Sequence, residues 1–452
     1  MRLNTALRLR NCCTNSATIH ICCWLPAPEE RRWRRANRAR MSASRSLARS
    51  ARTDALCKNP GVVSIRKYVA QKTLRSCHSI HRSAGSPFPP YTVKINDNPI
   101  TASTNRFHFV DSLTQLTLGA AVGEAMLGRQ IGNKALYWGA ALGTLPDLDV
   151  LLNPFISNVT ALGIHRGLSH SVVFWVLGAL LIGTALHRLH RREAVPWTQW
   201  TLTTGLILST HALLDAFTTY GTQLFVPITN YPVIFGTIFI IDPVYTLPML
   251  LGIVVAWRRA PRSRIRYWAN MTGLLISTAY LMLTIPSKML AQEAFSKGFE
   301  QAGLSVGRMF TKPTAFNNVL WQVVGETDEA FYVGSYSHFD PRVPTDFERI
   351  PKRHDLLADL PDTKALERLR WFSRGYYTVS QSPNGTLYIH DLRFGRSDMG
   401  LSAEGEPIFT FRLEQDSDTG AVTGFEQDRP PMQTDRELLA RFWDRIWGNP
   451  SA

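Results

Sequence analysis

The sequence predicts a mainly α chain: a polytopic membrane bundle of about six helices, followed by a smaller β-rich α+β C-terminal domain. Three observations carry that expectation. Residues 112–285 alternate apolar runs with short polar or basic links, residues 286–452 shift to a period-two pattern broken by turns, and residues 1–109 show neither period. The expected units are therefore a basic segment 1–109, a membrane-embedded domain 110–285 and a soluble domain 286–452.

Charge sets the first segment apart. The formal net charge is +15, yet residues 1–109 hold 20 Lys and Arg against 4 Asp and Glu, leaving 30 against 31 in the rest. All six cysteines (Cys12, Cys13, Cys22, Cys23, Cys57 and Cys77) lie there too. Residues 110–452 consequently have neither a disulfide framework nor a Cys-ligated zinc site. Rich in Arg and Ser and without a sustained period, residues 1–109 are expected to be disordered. A nucleic-acid-binding arm would suit Arg31–Arg40 but lacks aromatic interleaving, and an organelle transit peptide of about 100 residues would be long. The favoured expectation is that the natural protein begins near Met41 or at Val110, with the preceding residues a translated leader. No nucleic acid is expected as a partner of residues 110–452, and the sequence leaves the oligomeric state open.

Six helices are expected, at about 112–128, 134–146, 171–187, 199–217, 242–257 and 267–285. The later ones approach the roughly 20 apolar residues that span a bilayer, while the first two are short and Gly/Ala-rich, as suits close packing. Basic clusters at Arg129–Lys134, His187–Arg192 and Arg258–Arg266 follow the first, third and fifth helices. Simple alternation puts all three on one side, the cytoplasmic one. The opposite, non-cytoplasmic face then collects Asp111, Asp147, Asp149, His165, His170, His211, Asp215 and Asp242.

Imidazole and carboxylate without thiolate suit a divalent metal. The i, i+4 spacing of His211 and Asp215 puts both on one helix face, where they can share an ion or form a hydrogen-bonded pair. Asp147 and Asp149 follow Pro146; extended backbone would point both the same way toward a cation, and a solvated turn is the alternative. His165 and His170 flank Arg166 and Gly167, and Ser169 could cap the next helix. No elbow motif marks Ser169 as a nucleophile. Asp242 before Pro243 and Asp111 before Ser112 are ligands or helix caps. Glu124, inside the first helix, is a buried anchor or an outer partner of the site. Arg166 could bind an oxyanion bidentately or lie at the surface.

Taken in order, Asp111-Ser112-Leu113-Thr114-Gln115, Gly123-Glu124-Ala125, Pro146-Asp147-Leu148-Asp149, His165-Arg166-Gly167-Leu168-Ser169-His170-Ser171, His211-Ala212-Leu213-Leu214-Asp215, Tyr220-Gly221-Thr222 and Asp242-Pro243 resemble the bacterial membrane-bound metal-dependent hydrolases of YdjM type. These are also described as LexA-binding inner-membrane hydrolases. The resemblance covers about 110–285 and extends toward the C-terminus through Asp391-Leu392-Arg393-Phe394-Gly395. Val110 stands where similar proteins start with Met. Some relatives carry His at the position of Gln115, and an amide is a poor ligand, which puts a first-helix contribution in doubt. The family is in turn held to be similar to the zinc-dependent phospholipase C and P1 nuclease group.

The resemblance implies an inner-membrane, multi-pass hydrolase that uses zinc, or manganese in its place, to activate water. Its metal ligands would come from Asp111, Asp147, Asp149, His165, His170, His211, Asp215 and Asp242, with Arg166 and Asp149 as catalytic groups. A site at a membrane face suggests a phosphoester such as a lipid headgroup as substrate, and membrane lipid as partner. Val319–Tyr336, Gly375–Ile389 and Pro407–Phe425 are expected as antiparallel hairpins, and Asp435–Trp447 as an amphipathic helix, all on the side of the metal ligands. The rival expectation is a non-catalytic membrane module that binds or transports metal, with the C-terminal domain as an extracytoplasmic receptor. A transporter would spread ionisable groups across the bilayer, whereas these gather at one face.

Overall fold

The computed structural model describes residues 108–401, 405–431 and 435–449, residues 108–112 by backbone alone. The expectations for the basic N-terminal segment, its cysteines and the start site fall outside these residues.

Helices α1 (His108–Ile131) and α2 (Asn133–Thr144) form a tight hairpin. A Cβ on Gly119 would lie 2.3 Å from the Gly139 carbonyl oxygen, so the two backbones touch where only glycine fits. A 3₁₀ segment, Pro146–Phe155, and the short α3 (Asn158–Ile164) lead through the 3₁₀ turn Leu168–His170 into α4 (Val172–Leu189). Helices α5 (Trp197–Phe217), α6 (Pro243–Trp257) and α7 (Arg264–Gln301) complete the helical layer.

Six membrane spans are not what these helices make. Among the described residues, α4 and α7 are the helices long and apolar enough to cross a membrane. Helix α2 has 12 residues and α6 has 15, which at 1.5 Å per residue fall well short of a hydrocarbon core of about 30 Å. Helix α5 buries Thr201, Thr203, Thr204, His211 and Asp215 against its neighbours, and α1 buries Thr114, Gln115, Thr117 and Glu124. Apolar runs that looked like spans are thus largely the core of a helical layer. Helix α4 does turn Val173, Val176, Leu177, Leu180 and Leu181 outward.

Helix α7 continues without a break into the β region. It carries Phe295 and Phe299 against Trp321 and Val323 of the first sheet. That sheet is the antiparallel meander β1 (Arg308–Pro313), β2 (Leu320–Glu326), β3 (Ala330–Ser337) and β4 (Glu348–Pro351). After α8 (Lys364–Ser373) comes a second meander, β5 (Tyr377–Gln381), β6 (Leu387–Arg396), β7 (Pro407–Gln415) and β8 (Val422–Asp428), and α9 (Arg436–Ile446) closes the described chain. The fold is therefore a helical layer with two four-stranded antiparallel sheets, in place of the expected six-helix polytopic bundle. Leu366, Leu369 and Phe372 of α8 pack on Val379, Ile389, Phe411 and Phe425, and Val159, Leu162 and Tyr220 lie against the same core. The second sheet thus closes over the loops that carry the site.

Candidate metal centre

Pro146 opens the 3₁₀ segment directly after α2, and this tight winding separates the two acids that extended backbone would have aligned. Asp147 points toward α5. Asp149 points toward the loop 165–169. The Asp149 carboxylate is used up there: Oδ1 lies 3.0 Å from His165 Nδ1, while Oδ2 accepts from the Arg166 amide at 3.1 Å and from Ser169 Oγ at 3.2 Å. Those bonds hold Arg166 in the left-handed region at φ 55°, a conformation unfavourable for a residue with a Cβ. Ser171, not Ser169, caps α4 by accepting from the Phe174 amide. Ser169 Oγ instead sits 2.9 Å from His170 Nδ1 and fixes that ring.

Four side chains converge. Asp147, His170, His211 and Asp215 each direct one ligand atom to a common point, all within 4.8 Å of one another. His170 Nε2 is 3.1 Å from His211 Nε2, 3.3 Å from Asp147 Oδ1 and 3.2 Å from Asp215 Oδ2. His211 Nε2 is 3.4 Å from Asp147 Oδ1 and 3.8 Å from Asp215 Oδ2. An ion held tetrahedrally at 2.0–2.1 Å requires ligands about 3.3–3.4 Å apart, so the spacing fits one. Two further features fit. The buried Asp215 Oδ2 makes no hydrogen bond of good geometry among the described residues, although three cationic or imidazole nitrogens surround it. His211 Nδ1 lies 2.6 Å from the Gly143 carbonyl, to which it donates, leaving the Nε2 lone pair for a ligand bond.

Electrostatics agree. Burial alone would raise the Asp147 carboxyl, but its bonds to His170 and His211 outweigh that and hold it well below the usual carboxylate range. Asp149 is likewise lowered, burial being outweighed chiefly by His165. Burial would lower His170, yet bonds to Asp147 and Asp215 push it up to about 9. Without a cation between them, the two carboxylates recruit a proton onto this imidazole.

The remaining expected site residues lie outside the four-ligand set. His165 is partly exposed beside it, bound to Asp149. Arg166 is no surface residue: its Nε lies 3.1 Å from Asp215 Oδ2, its Nη1 donates to Thr218 Oγ1 at 2.9 Å, and its guanidinium packs on the Tyr220 ring. Asp242 caps α6, accepting from the Val244 and Tyr245 amides, and takes the Tyr280 hydroxyl on its other oxygen. Burial raises its carboxyl. The Asp111 side chain lies outside the described residues, although its backbone is in the first turn of α1. Glu124 is a buried anchor far from the site, held by Arg266 through two hydrogen bonds.

Sequence reading undervalued Gln115. Its Nε2 donates to Asp215 Oδ1 at 2.8 Å, so the amide supports a ligand without being one. Its place in the Asp-Ser-Leu-Thr-Gln motif was the available signal. The Gly143 carbonyl and Thr218 gave no signal at all.

A largely buried Asp₂His₂ cluster, in a chain with two helices long and apolar enough to cross a membrane among the described residues, is what these observations define. Residues 110–291 match the family described as YdjM inner membrane protein. The chain is also similar to a Bacillus subtilis (strain 168) protein described as "Uncharacterized protein YfhP", 24% identical over 253 residues, which cover 54% of this chain and 73% of the relative. No solved structure matches. The further likeness to the phospholipase C and P1 nuclease group is not shown by these comparisons.

Proposed function

We propose that the protein is a metal-dependent hydrolase at the membrane, acting on a phosphoester such as a lipid headgroup. The observation that carries this reading is the convergence of Asp147, His170, His211 and Asp215. These residues would hold one divalent ion, zinc or manganese, whose chemistry there is Lewis acidity and a lowered pKa for water.

The chain's own groups supply the rest. Gln115 and Arg166 hold Asp215, and Arg166 offsets its charge. Asp149 fixes His165 through Nδ1, which leaves Nε2 without a bond among the described residues at the partly exposed edge of the site. An imidazole so held can take a proton from an attacking water and return it to a leaving alkoxide. Asp147, with 21% of its side chain exposed, marks the open side of the ligand set. Beside it Leu148, Leu151, Leu152 and Phe155 project from the same 3₁₀ segment, Phe155 being 84% exposed. An apolar rim next to a cation site suits a substrate with an acyl part. Lys134 pairs with Glu193, and Asn133 with Trp257 and Arg266, so the basic loops gather at the N-terminal end of α2, opposite the end that leads to Asp147.

Elemental analysis of purified full chain tests the metal, and turnover of bis-p-nitrophenyl phosphate and of phospholipid vesicles tests the chemistry. His165→Ala should keep the metal and lose roughly 10²–10⁴-fold in kcat. A second reading, a structural ion in a non-catalytic membrane module, is favoured by one fact: four protein ligands make a closed set. Stoichiometric metal without turnover of either substrate would select it.

A further inference from the structure

A second site lies in the β region, away from the metal cluster. A cleft of about 430 Å³ separates one face of the β1–β2–β3 sheet from β6. Ligand pockets fall in this size range. Alternation places Phe310 and Lys312 of β1 on the face that borders it, paired across the ladder with Val324 and Gln322 of β2. Leu392 and Arg393 of β6 form the opposite wall.

Two cations on these walls are under-used. Lys312 is 8% exposed, and Gln322 Oε1, a neutral acceptor at 2.9 Å, is the sole hydrogen-bond partner of its three-proton ammonium among the described residues. No carboxylate pairs with it among those residues. Burial without a counter-charge pushes its pKa down to about 8. Arg393 is fully buried; Asp391 takes Nε and Nη2 and the guanidinium packs on the Phe310, Phe372 and Phe394 rings, but Nη1 has no hydrogen-bond partner among the described residues. Of the acids on the walls, Glu348 is tied to Arg396 by two bonds of 2.6 Å, and Asp346 is the other. Backbone geometry keeps the floor clear: Gly395 and Gly400 both have positive φ, and a Cβ on Gly400 would lie 1.8 Å from Gln322 Nε2. Desolvating an ammonium beside an open cleft is costly unless something completes its shell.

We propose that this cleft binds a small molecule that carries a carboxylate or phosphate group, received by Lys312 and Arg393, and an apolar part lying on Phe310, Val324 and Leu392. The β region is then a receptor for a small anion. Its ligand is distinct from anything the metal cluster holds.

Calorimetric titration of the full chain in detergent with inorganic phosphate and with octanoate tests this, the two probes separating a phosphate from a carboxylate source. At least one should bind saturably. Lys312→Met should weaken that probe roughly tenfold or more, while Lys364→Met, at an exposed lysine, should not. Saturable binding by neither probe, or Lys312→Met binding like wild type, overturns the proposal. Should Lys312→Met fail to fold, reductive methylation of the wild type provides the readout. Lys312 should be protected by the probe, and unchanged labelling counts against the site.

Discussion

The two ends of the helical layer both bury charge, and they do so in opposite ways. At one end Glu124 meets Arg266 through two hydrogen bonds of 2.5 and 2.6 Å, with Asn133 on the remaining Nη1, so each charge has its counterpart. At the other end Asp147 and Asp215 approach two imidazoles, and Arg166 answers only one of the carboxylates. A self-compensated pair is explained by folding alone. The other end has a surplus of converging lone pairs, balanced in metal-free protein by a proton on His170, and it suits a cation that the chain does not itself supply.

The largest effect expected from this contrast is at the surplus end. His211→Ala should reduce bound zinc or manganese from about one ion per chain to near background by elemental analysis. Chelation of the wild type should lower its Tm, since an ion at a hundred times its Kd contributes about 2.7 kcal/mol. Retention of full metal by His211→Ala would remove the contrast. At the compensated end, Glu124→Ala strands a buried guanidinium and should cost about 3–5 kcal/mol by thermal unfolding. Metal content of the folded fraction should stay unchanged.

Much of the converging cluster was legible because its residues are chemically odd for their surroundings. His170, His211 and Asp215 are polar groups in apolar runs, and the four-residue spacing on α5 shows directly which pair shares a face. The direction of Asp149 was not legible because a sequence does not distinguish extended backbone from a 3₁₀ turn after Pro146, and that choice decides where the second carboxylate points. The bundle was misjudged for a related reason. Hydropathy registers burial without saying whether lipid or protein does the burying, so α1 and α5, which line the core with Thr, Gln and His, read as spans alongside α4. The hairpins β2–β3, β5–β6 and β7–β8 lie where period-two alternation and turn residues put them, since a strand with one face inward writes that pattern openly.

Intermediate effects sharpen the boundary between ligands and their supports. Gln115→Ala and Asp149→Asn should each weaken metal affinity by roughly 10–100-fold without abolishing it, as read by competition with a chromogenic chelator. Loss as complete as in His211→Ala would promote either residue to a ligand. Proton linkage gives an independent measure. In metal-free protein His170 is held up to about 9, so its charged form stabilises the fold fully below its ordinary value of 6.5, and that contribution fades as pH rises through 9. A metal needs the neutral ring. Apparent affinity should therefore strengthen with pH between about 7 and 9, with close to one proton released per ion bound at pH 7. A flat affinity across that window would place His170 outside the ligand set.

The smallest effect distinguishes a cap from a ligand at Asp242. Its Oδ1 serves the first two free amides of α6, and its Oδ2 takes the Tyr280 hydroxyl, so both oxygens are spent on structure. Removing such a cap typically costs about 1 kcal/mol, with somewhat more where a hydroxyl loses its acceptor. Asp242→Asn retains an oxygen for the amides and should recover most of that loss. Neither variant should shift metal affinity, because no atom of Asp242 belongs to the converging set. If Asp242→Asn lost metal while keeping its Tm, the carboxylate would be reaching the ion in the loaded protein, and the end of α6 would then belong to the surplus region instead of the scaffold around it.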